Sequence, residues 1–229
     1  DLIHTATGID MFWLAKLQEI VELEENIRRT PLDTPLLRRA KQLGLTDARI
    51  ATLAARSSEE IAAQSESVSL RPTYKMVDTC AAEFVAHTPY FYSTCEKENE
   101  AGDIAEAKVV VIGSGPIRIG QGVEFDYCSV HASAALRAQG YASIIINNNP
   151  ETVSTDFDTS TRLYFEPLTA EDVLAVLKQE SPAAVAVQFG GQTAVNLAAT
   201  IEQAGYRLLG TTATAAGPMP WATPPSAPA

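Results

Sequence analysis

The sequence predicts an α/β protein, in which a helical N-terminal module precedes a domain built around a parallel sheet and a disordered tail ends the chain. Three observations predict this. Amphipathic helical patterns fill most of residues 1–67. From residue 108 onward, short apolar runs alternate with helical patterns. Residues 213–229 are rich in proline and alanine and carry no charge, so they can build neither a helix nor a central strand.

The composition argues against several classes of function. The 229 residues are enough for one or two domains with their own cores. The net charge of -11 argues against a general nucleic-acid partner, because phosphate binding needs a basic surface. No apolar run approaches the ~18–20 residues that span a bilayer, and no signal peptide is visible, so we expect no membrane association. The three cysteines are sparse and lack metal-ligand spacing, which favours a reduced, cytoplasmic compartment.

The N-terminal module is predicted to contain four helices. The first covers Ile9 to Arg29, and its apolar stripe includes Phe12 and Trp13, which we expect in the core. Three shorter helices are predicted to begin at capping residues: Asp33 or Thr34, Thr46 with Asp47, and Ser57 or Ser58. No catalytic constellation is visible among these residues.

The stretch between the two halves is predicted to be an extended connector. Residues 68–105 combine turn residues with aromatics, and residues 96–107 are charged and small, as in a linker. Cys80 has no neighbouring base, which favours a buried structural thiol over a nucleophile. The predicted domains are therefore 1–106, 107–212 and the tail 213–229.

The second half alternates between strands and helices. Strands are predicted over 108–112, 141–147, 162–165, 183–189 and 207–209, and helices over 124–139, 168–180 and 194–204. The runs Val109–Ile112 and Ile144–Ile146 are typical of strands buried on both faces. Alternating units of this length indicate a doubly wound parallel sheet with right-handed crossovers.

Three polar loops follow predicted strands, at residues 113–122, 147–156 and 190–193. Ligands of doubly wound sheets bind at the carboxyl ends of the strands, so we expect these loops to line one polar crevice. Glycines let backbone N–H groups approach a ligand closely, and the helix after the first loop favours an anion at its N-terminus.

The first loop lacks the spacing of a nucleotide site. Its glycines Gly113, Gly115 and Gly120 do not follow the Gly-x-Gly-x-x-Gly pattern, and asparagines rather than an acid end the second strand. A P-loop would need Gly-Lys-Ser/Thr, which is also missing. These differences disfavour a dinucleotide cofactor.

Three charged side chains near the loops have open roles. Arg118 either pairs with an anion or forms a salt bridge with Glu124 or Glu151. Both glutamates are expected near the crevice, where they could act as acid/base catalysts, line a polar passage or anchor loop backbone. The residues alone favour anchoring.

The sequence Asp126-x-Cys128-x-x-His131 is a weak candidate for a metal site. Asp126 and Cys128 face different sides of a helix, whereas Cys128 and His131 share a face but lack two further ligands. We therefore expect a packed helix face and no metal site.

Longer motifs resemble one enzyme family. They are GPIRIGQGVEFDYC at 115–128, NNNPETVSTDFD at 147–158, RLYFEP at 162–167, QFGGQT at 188–193 and VDTCAAEF at 77–84. Over about residues 1–212 the chain resembles the large subunit of carbamoyl phosphate synthetase. The resemblance implies its oligomerisation domain followed by the Rossmann-like pre-ATP-grasp domain of the second, carbamate-phosphorylating half.

The resemblance also implies roles for individual residues. Gly122, Glu124 and Glu151 look like residues that line the tunnel carrying carbamate, which argues against acid/base catalysis. The candidate loop anchors are Arg118, Asn149 and Gln192. No catalytic, cofactor-binding or metal-binding residue is implied in this chain.

The family enzyme makes carbamoyl phosphate from bicarbonate, glutamine-derived ammonia and two ATP, for pyrimidine and arginine biosynthesis. The resemblance implies ATP with Mg²⁺ or Mn²⁺ as cofactors, and a glutaminase small subunit and other large subunits as partners. The family continues past residue 212 into an ATP-grasp domain, whereas this chain continues into its tail. We therefore expect an internal fragment that binds no cofactor and is inactive alone. The alternatives are a non-catalytic assembly module and, less favoured, a dinucleotide-dependent oxidoreductase.

Overall fold

The structure, a computed structural model, describes residues 1–116 and 122–210. Two compact units are present: a helical unit of residues 1–73 with 94–97, and an α/β unit of residues 74–93 and the chain from residue 98 onward. Arg118 and the predicted disordered tail lie outside the described residues.

The helical unit contains the four predicted helices and one short helix before them. The helices are α1 (Leu2–Thr7), α2 (Met11–Arg29), α3 (Thr34–Gln42), α4 (Asp47–Ala54) and α5 (Ser58–Ser67). The predicted caps are present: Asp33 accepts a hydrogen bond from Leu36 N, and Ser57 forms a capping box with Glu60. Local capping chemistry therefore determines where α3 and α5 begin.

The core of the helical unit lies along only part of α2. Leu23 and Ile27, near the end of α2, are buried with Leu37 of α3 and Ile50 of α4. At the start of α2, Phe12 and Trp13 are 58% and 62% exposed. The prediction that these aromatics are in the core was wrong within this unit, because periodicity reveals an apolar face but not what covers it.

The α/β unit is organised around one sheet, whose described strands run in the order β1-β2-β5-β4-β3-β6. The strands are β1 (Thr73–Met76), β2 (Tyr90–Thr94), β3 (Lys108–Ile112), β4 (Ala142–Asn147), β5 (Arg162–Phe165) and β6 (Ala184–Ala186). From β2 to β6, each pair of neighbours is parallel. At the centre of the sheet, Val110 lies opposite Ile144 on one side and Val185 on the other.

Helices cover both faces of this sheet, which confirms the predicted α/β fold class. They are α6 (Glu124–Ala138), α7 (Ala170–Glu180), α8 (Gly191–Val195) and α9 (Ala198–Gln203). Val111 and Ile145 pack on one face with Leu136 of α6, whereas Val110 and Ile144 share the opposite core with α7, α8 and α9. No helix of the described residues combines the length and apolarity needed to cross a membrane.

Four predicted elements differ in the structure, and the first is the strand predicted over 183–189, which is reduced to β6. The connector contains β1 and β2 of the sheet, which sequence patterns missed because their runs are short and partly polar. The helix predicted over 194–204 is replaced by α8 and α9, and α8 begins inside the second glycine loop. The strand predicted over 207–209 is reduced to a single bridge between Leu208 and Val185.

Candidate functional site

The three polar loops meet at the carboxyl ends of the strands. Gly113 N donates a hydrogen bond of 2.8 Å to Ile146 O, which joins the first loop to the end of β4. Gly190 packs so closely on the start of the first loop that an added Cβ would overlap Gly113 O and would lie 2.5 Å from Ile112 O at the end of β3. Glycine at position 190 therefore permits direct backbone contact between the first and third loops.

Asn147, the last residue of β4, is fully buried between the first two loops. Its Oδ1 accepts hydrogen bonds from Gly115 N at 3.0 Å and from Asn148 N at 2.9 Å. Its Nδ2 donates to Ser154 Oγ at 3.3 Å. One amide side chain thus connects the glycine loop to both ends of the following polar loop.

Asp126, on the first turn of α6, is buried and bound to the same polar loop. Both of its carboxylate oxygens accept from Ser154 N, each at 3.2 Å. Sequence reasoning considered Asp126 only as a weak metal ligand. The sequence does show an acid near a helix N-terminus and a Ser/Thr-rich loop, which are groups able to bind each other. It does not show that Asp126 binds Ser154, because the two residues are 28 positions apart.

Glu124 lies at the start of α6 with its side chain exposed. Its Oε1 accepts from Gly122 N at 3.4 Å, so the carboxylate folds back toward a residue two positions before the helix. A Cβ at position 122 would overlap Glu124 Oε2. Glu124 and Gly122 are therefore direct neighbours, and the roles expected for both stay predictions.

Glu151 is exposed on the second loop, and Asn149 shapes the turn that presents it. Glu151 N donates to Asn149 Oδ1 at 3.1 Å, and Thr155 Oγ1 donates to Asn149 O at 3.1 Å. The candidate anchor Gln192 donates to Asn196 Oδ1, four residues along the chain. The roles proposed for these residues remain predictions.

The first turn of α6 is acidic, which bears on the anion site suggested by the loop. Glu124 and Asp126 occupy this turn, and Val123 provides no side-chain cap. A pyrophosphate at this helix terminus would meet two carboxylates, whose charge opposes the attraction of the helix dipole. The expected absence of a dinucleotide cofactor stays a prediction.

Cys128 and His131 are both exposed, so the expected packed helix face was wrong for these two residues. The His131 ring lies 4.2 Å from the Tyr127 ring. Within the described ranges, no three His, Cys, Asp or Glu side chains are grouped as a metal site would require. Cys80 is half-buried rather than buried, and its N–H donates to Asp78 Oδ1 at 2.8 Å.

Glu166, directly after β5, is a buried carboxylate that sequence reasoning did not single out. Ser93 of β2 donates to it through both its backbone N–H and its hydroxyl. Burial raises the pKa of Glu166 to about 7, with a further contribution from Asp172, against the opposing effect of the Ser93 hydrogen bonds. An acid following a strand gave no signal of this burial.

Two family models match the chain. Residues 1–69 match the oligomerisation domain of the carbamoyl-phosphate synthetase large chain, and residues 105–216 match the carbamoyl phosphate synthase preATP-grasp domain. Together they cover most of the chain, and their order agrees with the helical and α/β units.

Curated relatives agree with the two models. The large chains of carbamoyl phosphate synthase from Methanothermobacter thermautotrophicus and Thermomicrobium roseum are each 54% identical over 91% of this chain, and that of Methanobrevibacter smithii is 50% identical over 92%. In each case the match covers 20% of the relative, so the chain spans about a fifth of the length of these proteins. The chain therefore belongs to the carbamoyl phosphate synthase large-chain family.

Proposed function

We propose that the α/β unit forms part of the wall of a passage for carbamate in carbamoyl phosphate synthase. One observation carries the proposal: Gly122, Glu124 at the start of α6 and Glu151 are all exposed, and the contacts of Asn147, Ser154 and Asp126 connect the segments that present them. Glycine at position 122 adds no side chain to obstruct a passage. Carboxylates at 124 and 151 would bind ordered water and hydrogen-bond a small passing intermediate.

The same proposal covers the complete enzyme. It would make carbamoyl phosphate in the cytoplasm from bicarbonate, glutamine-derived ammonia and two ATP, for pyrimidine and arginine biosynthesis. Its ATP and Mg²⁺ or Mn²⁺ would bind in other parts of the large chain, and a glutaminase small subunit would supply ammonia. The 229-residue chain itself would contribute a wall and an assembly surface, so we expect it to form no carbamoyl phosphate from ATP, bicarbonate and ammonia.

A chimera tests the passage. Residues 1–210 replace the matching segment of the Methanothermobacter thermautotrophicus large chain, which is 54% identical to this chain. Carbamoyl phosphate and ADP are then measured with bicarbonate, ammonia and ATP. We expect Gly122→Phe to lower carbamoyl phosphate formed per ADP by about tenfold or more, because carbamate formed upstream is lost before its phosphorylation.

Gly102→Phe is the matched control, since Gly102 is exposed and an added Cβ there would meet nothing within 4 Å. The ratio of product to ADP should remain that of the unmodified chimera. Equal ratios for the two phenylalanine variants would place the passage elsewhere.

A second candidate function belongs to the helical unit, which we propose contacts another large chain. An apolar groove of about 640 Å³ runs along α1 and α2. It is lined by Asp1, Leu2, Ile3, Met11, Leu14, Ala15, Leu17, Gln18 and Val21. Leu17 and Val21 are 56% and 55% exposed, and a patch of this kind marks an interaction site. The description of the matching family model, an oligomerisation domain, supports the same role.

Sedimentation of the full chain tests this contact. We expect association that Leu17→Glu with Val21→Glu abolishes, because two buried charges would oppose it. Lys16→Glu with Glu22→Lys, at exposed positions of the same helix, should leave association intact. A monomer at all concentrations would refute a self-association surface on α2.

A further inference from the structure

We propose that Asn147 and Asp126 are positioning residues, which form one polar clamp that fixes the loops of Gly122, Glu124 and Glu151. The inference rests on the proposed function for the meaning of those three residues. The clamp itself is defined by four residues: Gly115, Asn147, Ser154 and Asp126.

The side chain of Asn147 uses both ends of its amide. Oδ1 accepts the N–H groups of Gly115 and Asn148, and Nδ2 donates to Ser154 Oγ. The amide supplies an acceptor at Oδ1 and a donor at Nδ2, and both are used here. An apolar residue of similar size would leave a buried N–H and a buried hydroxyl unsatisfied, which is costly away from water.

Gly113 makes room for this amide. An added Cβ on Gly113 would lie 2.6 Å from Asn147 Cγ and 2.7 Å from Asn147 Nδ2. The first glycine of the loop is therefore explained by the approach of Asn147 rather than by the approach of a ligand. The contact with Asn147 therefore explains Gly113, which neither the Gly-x-Gly-x-x-Gly pattern nor the P-loop pattern explained.

Asp126 completes the clamp from the other side. It accepts the main-chain N–H of Ser154, whose side chain contacts Asn147, so Ser154 bridges the two positioning residues. Both Ser154 and Asp126 are buried. Because the contact uses the backbone of residue 154, it fixes the path of the loop as well as a side chain.

Each of the three candidate passage residues lies between two clamp residues along the chain. Glu124 lies two residues before Asp126, and Gly122 contacts Glu124 directly. Glu151 lies between Asn147 and Ser154 on the second loop. Fixing Asp126 against Ser154 therefore fixes the start of α6 relative to the loop that presents Glu151.

Amide hydrogen exchange in the full 229-residue chain, resolved by NMR, tests the clamp. In Asn147→Ala we expect the Gly115, Asn148 and Ser154 amides to exchange roughly tenfold to a hundredfold faster. The Val110 and Val111 amides of β3 should keep their rates. Asn148→Ala is the matched control, since its exposed side chain makes no hydrogen bond to a described residue, and it should leave the Gly115, Ser154, Val110 and Val111 rates unchanged.

Two further variants separate one clamp from independent bonds. Asp126→Ala should accelerate exchange at Gly115 as well as at Ser154, although the Gly115 N–H donates to Asn147 and not to Asp126. Asn147→Asp should restore protection at Gly115, because the carboxylate keeps an acceptor at the Oδ1 position. Acceleration confined to the amide that loses its direct partner would overturn the proposal, and so would equal acceleration of the β3 amides.

The Asn147→Ala substitution in the chimera separates this inference from the proposed function. Loss of protection at the Gly115 and Ser154 amides together with a lower yield of carbamoyl phosphate per ADP supports both. Loss of protection with an unchanged yield supports the clamp and overturns the passage. A lower yield with wild-type protection overturns the clamp, because Asn147 would then act without positioning these loops.

Discussion

The two ends of the central sheet are stabilised by different chemistry. At the amino end, where β3 and β5 begin, oppositely charged side chains are buried together. At the carboxyl end, where the candidate site lies, the contacts between loops are made by glycines, the Asn147 amide, main-chain N–H groups and the Asp126 carboxylate, which accepts from an N–H group and not from a cation. The same sheet therefore has an ionic end and a largely neutral end.

Glu180, the last residue of α7, is the centre of the ionic end and is 1% exposed. It accepts hydrogen bonds from Arg162 and Tyr164 of β5 and lies 3.2 Å from Lys108 Nζ at the start of β3. Burial is the largest influence on Arg162 and opposes its charge, but the hydrogen bonds and charges of Glu180 and Tyr164 together outweigh it and raise the pKa of Arg162. Burial and the neighbouring Glu180 charge raise the pKa of Tyr164, which keeps its hydroxyl protonated as a donor.

The difference indicates a division of tasks. The ionic end joins strands to a helix through charges whose separation is costly, so its loss should affect the whole unit. The contacts of Asn147 and Asp126 join loops to one another, so their loss should affect mainly those loops. The predictions below test the two ends in order of expected effect.

The largest effect is expected for Glu180→Ala. Removal of this carboxylate leaves Arg162 and Lys108 facing each other without their shared counter-ion, which typically costs about 3–5 kcal/mol. The loss of stability is measured by unfolding in urea, with the circular dichroism of the tyrosines as the signal. All seven tyrosines lie in the α/β unit, so this signal reports on that unit. Glu98→Ala is the control, because Glu98 pairs with Lys75 but is 75% exposed, and solvent screens such a pair so that its loss changes stability little. Similar unfolding midpoints for both variants would contradict the central role of Glu180.

A pH-dependent effect is expected at the carboxyl end for Glu166. Its pKa of about 7 in the fold exceeds the ordinary value of 4.5, so the protonated form is favoured by folding. The resulting stability is fully present below about pH 4.5 and is lost as the pH rises through 7. Glu166→Gln keeps a neutral side chain and should become more stable than the parent chain at pH 8, by up to about 3 kcal/mol.

Urea unfolding at pH 4.5, 6 and 8 measures this difference. The stability of Glu166→Gln relative to the parent should rise across that interval, whereas Glu83→Gln, at an exposed position, should show a flat difference. A flat difference for Glu166→Gln would show that its carboxylate is already ionised at low pH in the folded chain.

Sequence patterns predicted the elements that local chemistry determines. The buried run of β3 and the cap at Ser57 are visible within a few residues, and both are present. The bond between Ser93 and Glu166 joins residues 73 positions apart, and the contact of Asp126 with Ser154 depends on the packing of α6. Such pairs arise only when the topology is complete, so periodicity and spacing could not reveal them. For the same reason, Trp13 was predicted to lie in the core but is exposed, because helical periodicity does not show which face another element packs against.

The smallest of the three effects is expected for Gly190→Ala, which tests how closely the loops of the neutral end pack. The new Cβ would lie 2.5 Å from Ile112 O and would overlap Gly113 O and the Ala194 side chain. Two of these neighbours are backbone atoms that cannot rotate away, so the loop must shift, at a typical cost of about 1–3 kcal/mol.

Gly102→Ala is the control for the loss of a glycine, because its Cβ would enter open space. It should be neutral or slightly stabilising, through the lower entropy of the unfolded chain. Unfolding in urea gives the stability of both variants, and exchange of the Gly115 amide shows whether the shift reaches the clamp. An unchanged midpoint for Gly190→Ala would mean that the third loop moves aside freely, and that the neutral end owes its order to Asn147 and Asp126 rather than to close backbone packing.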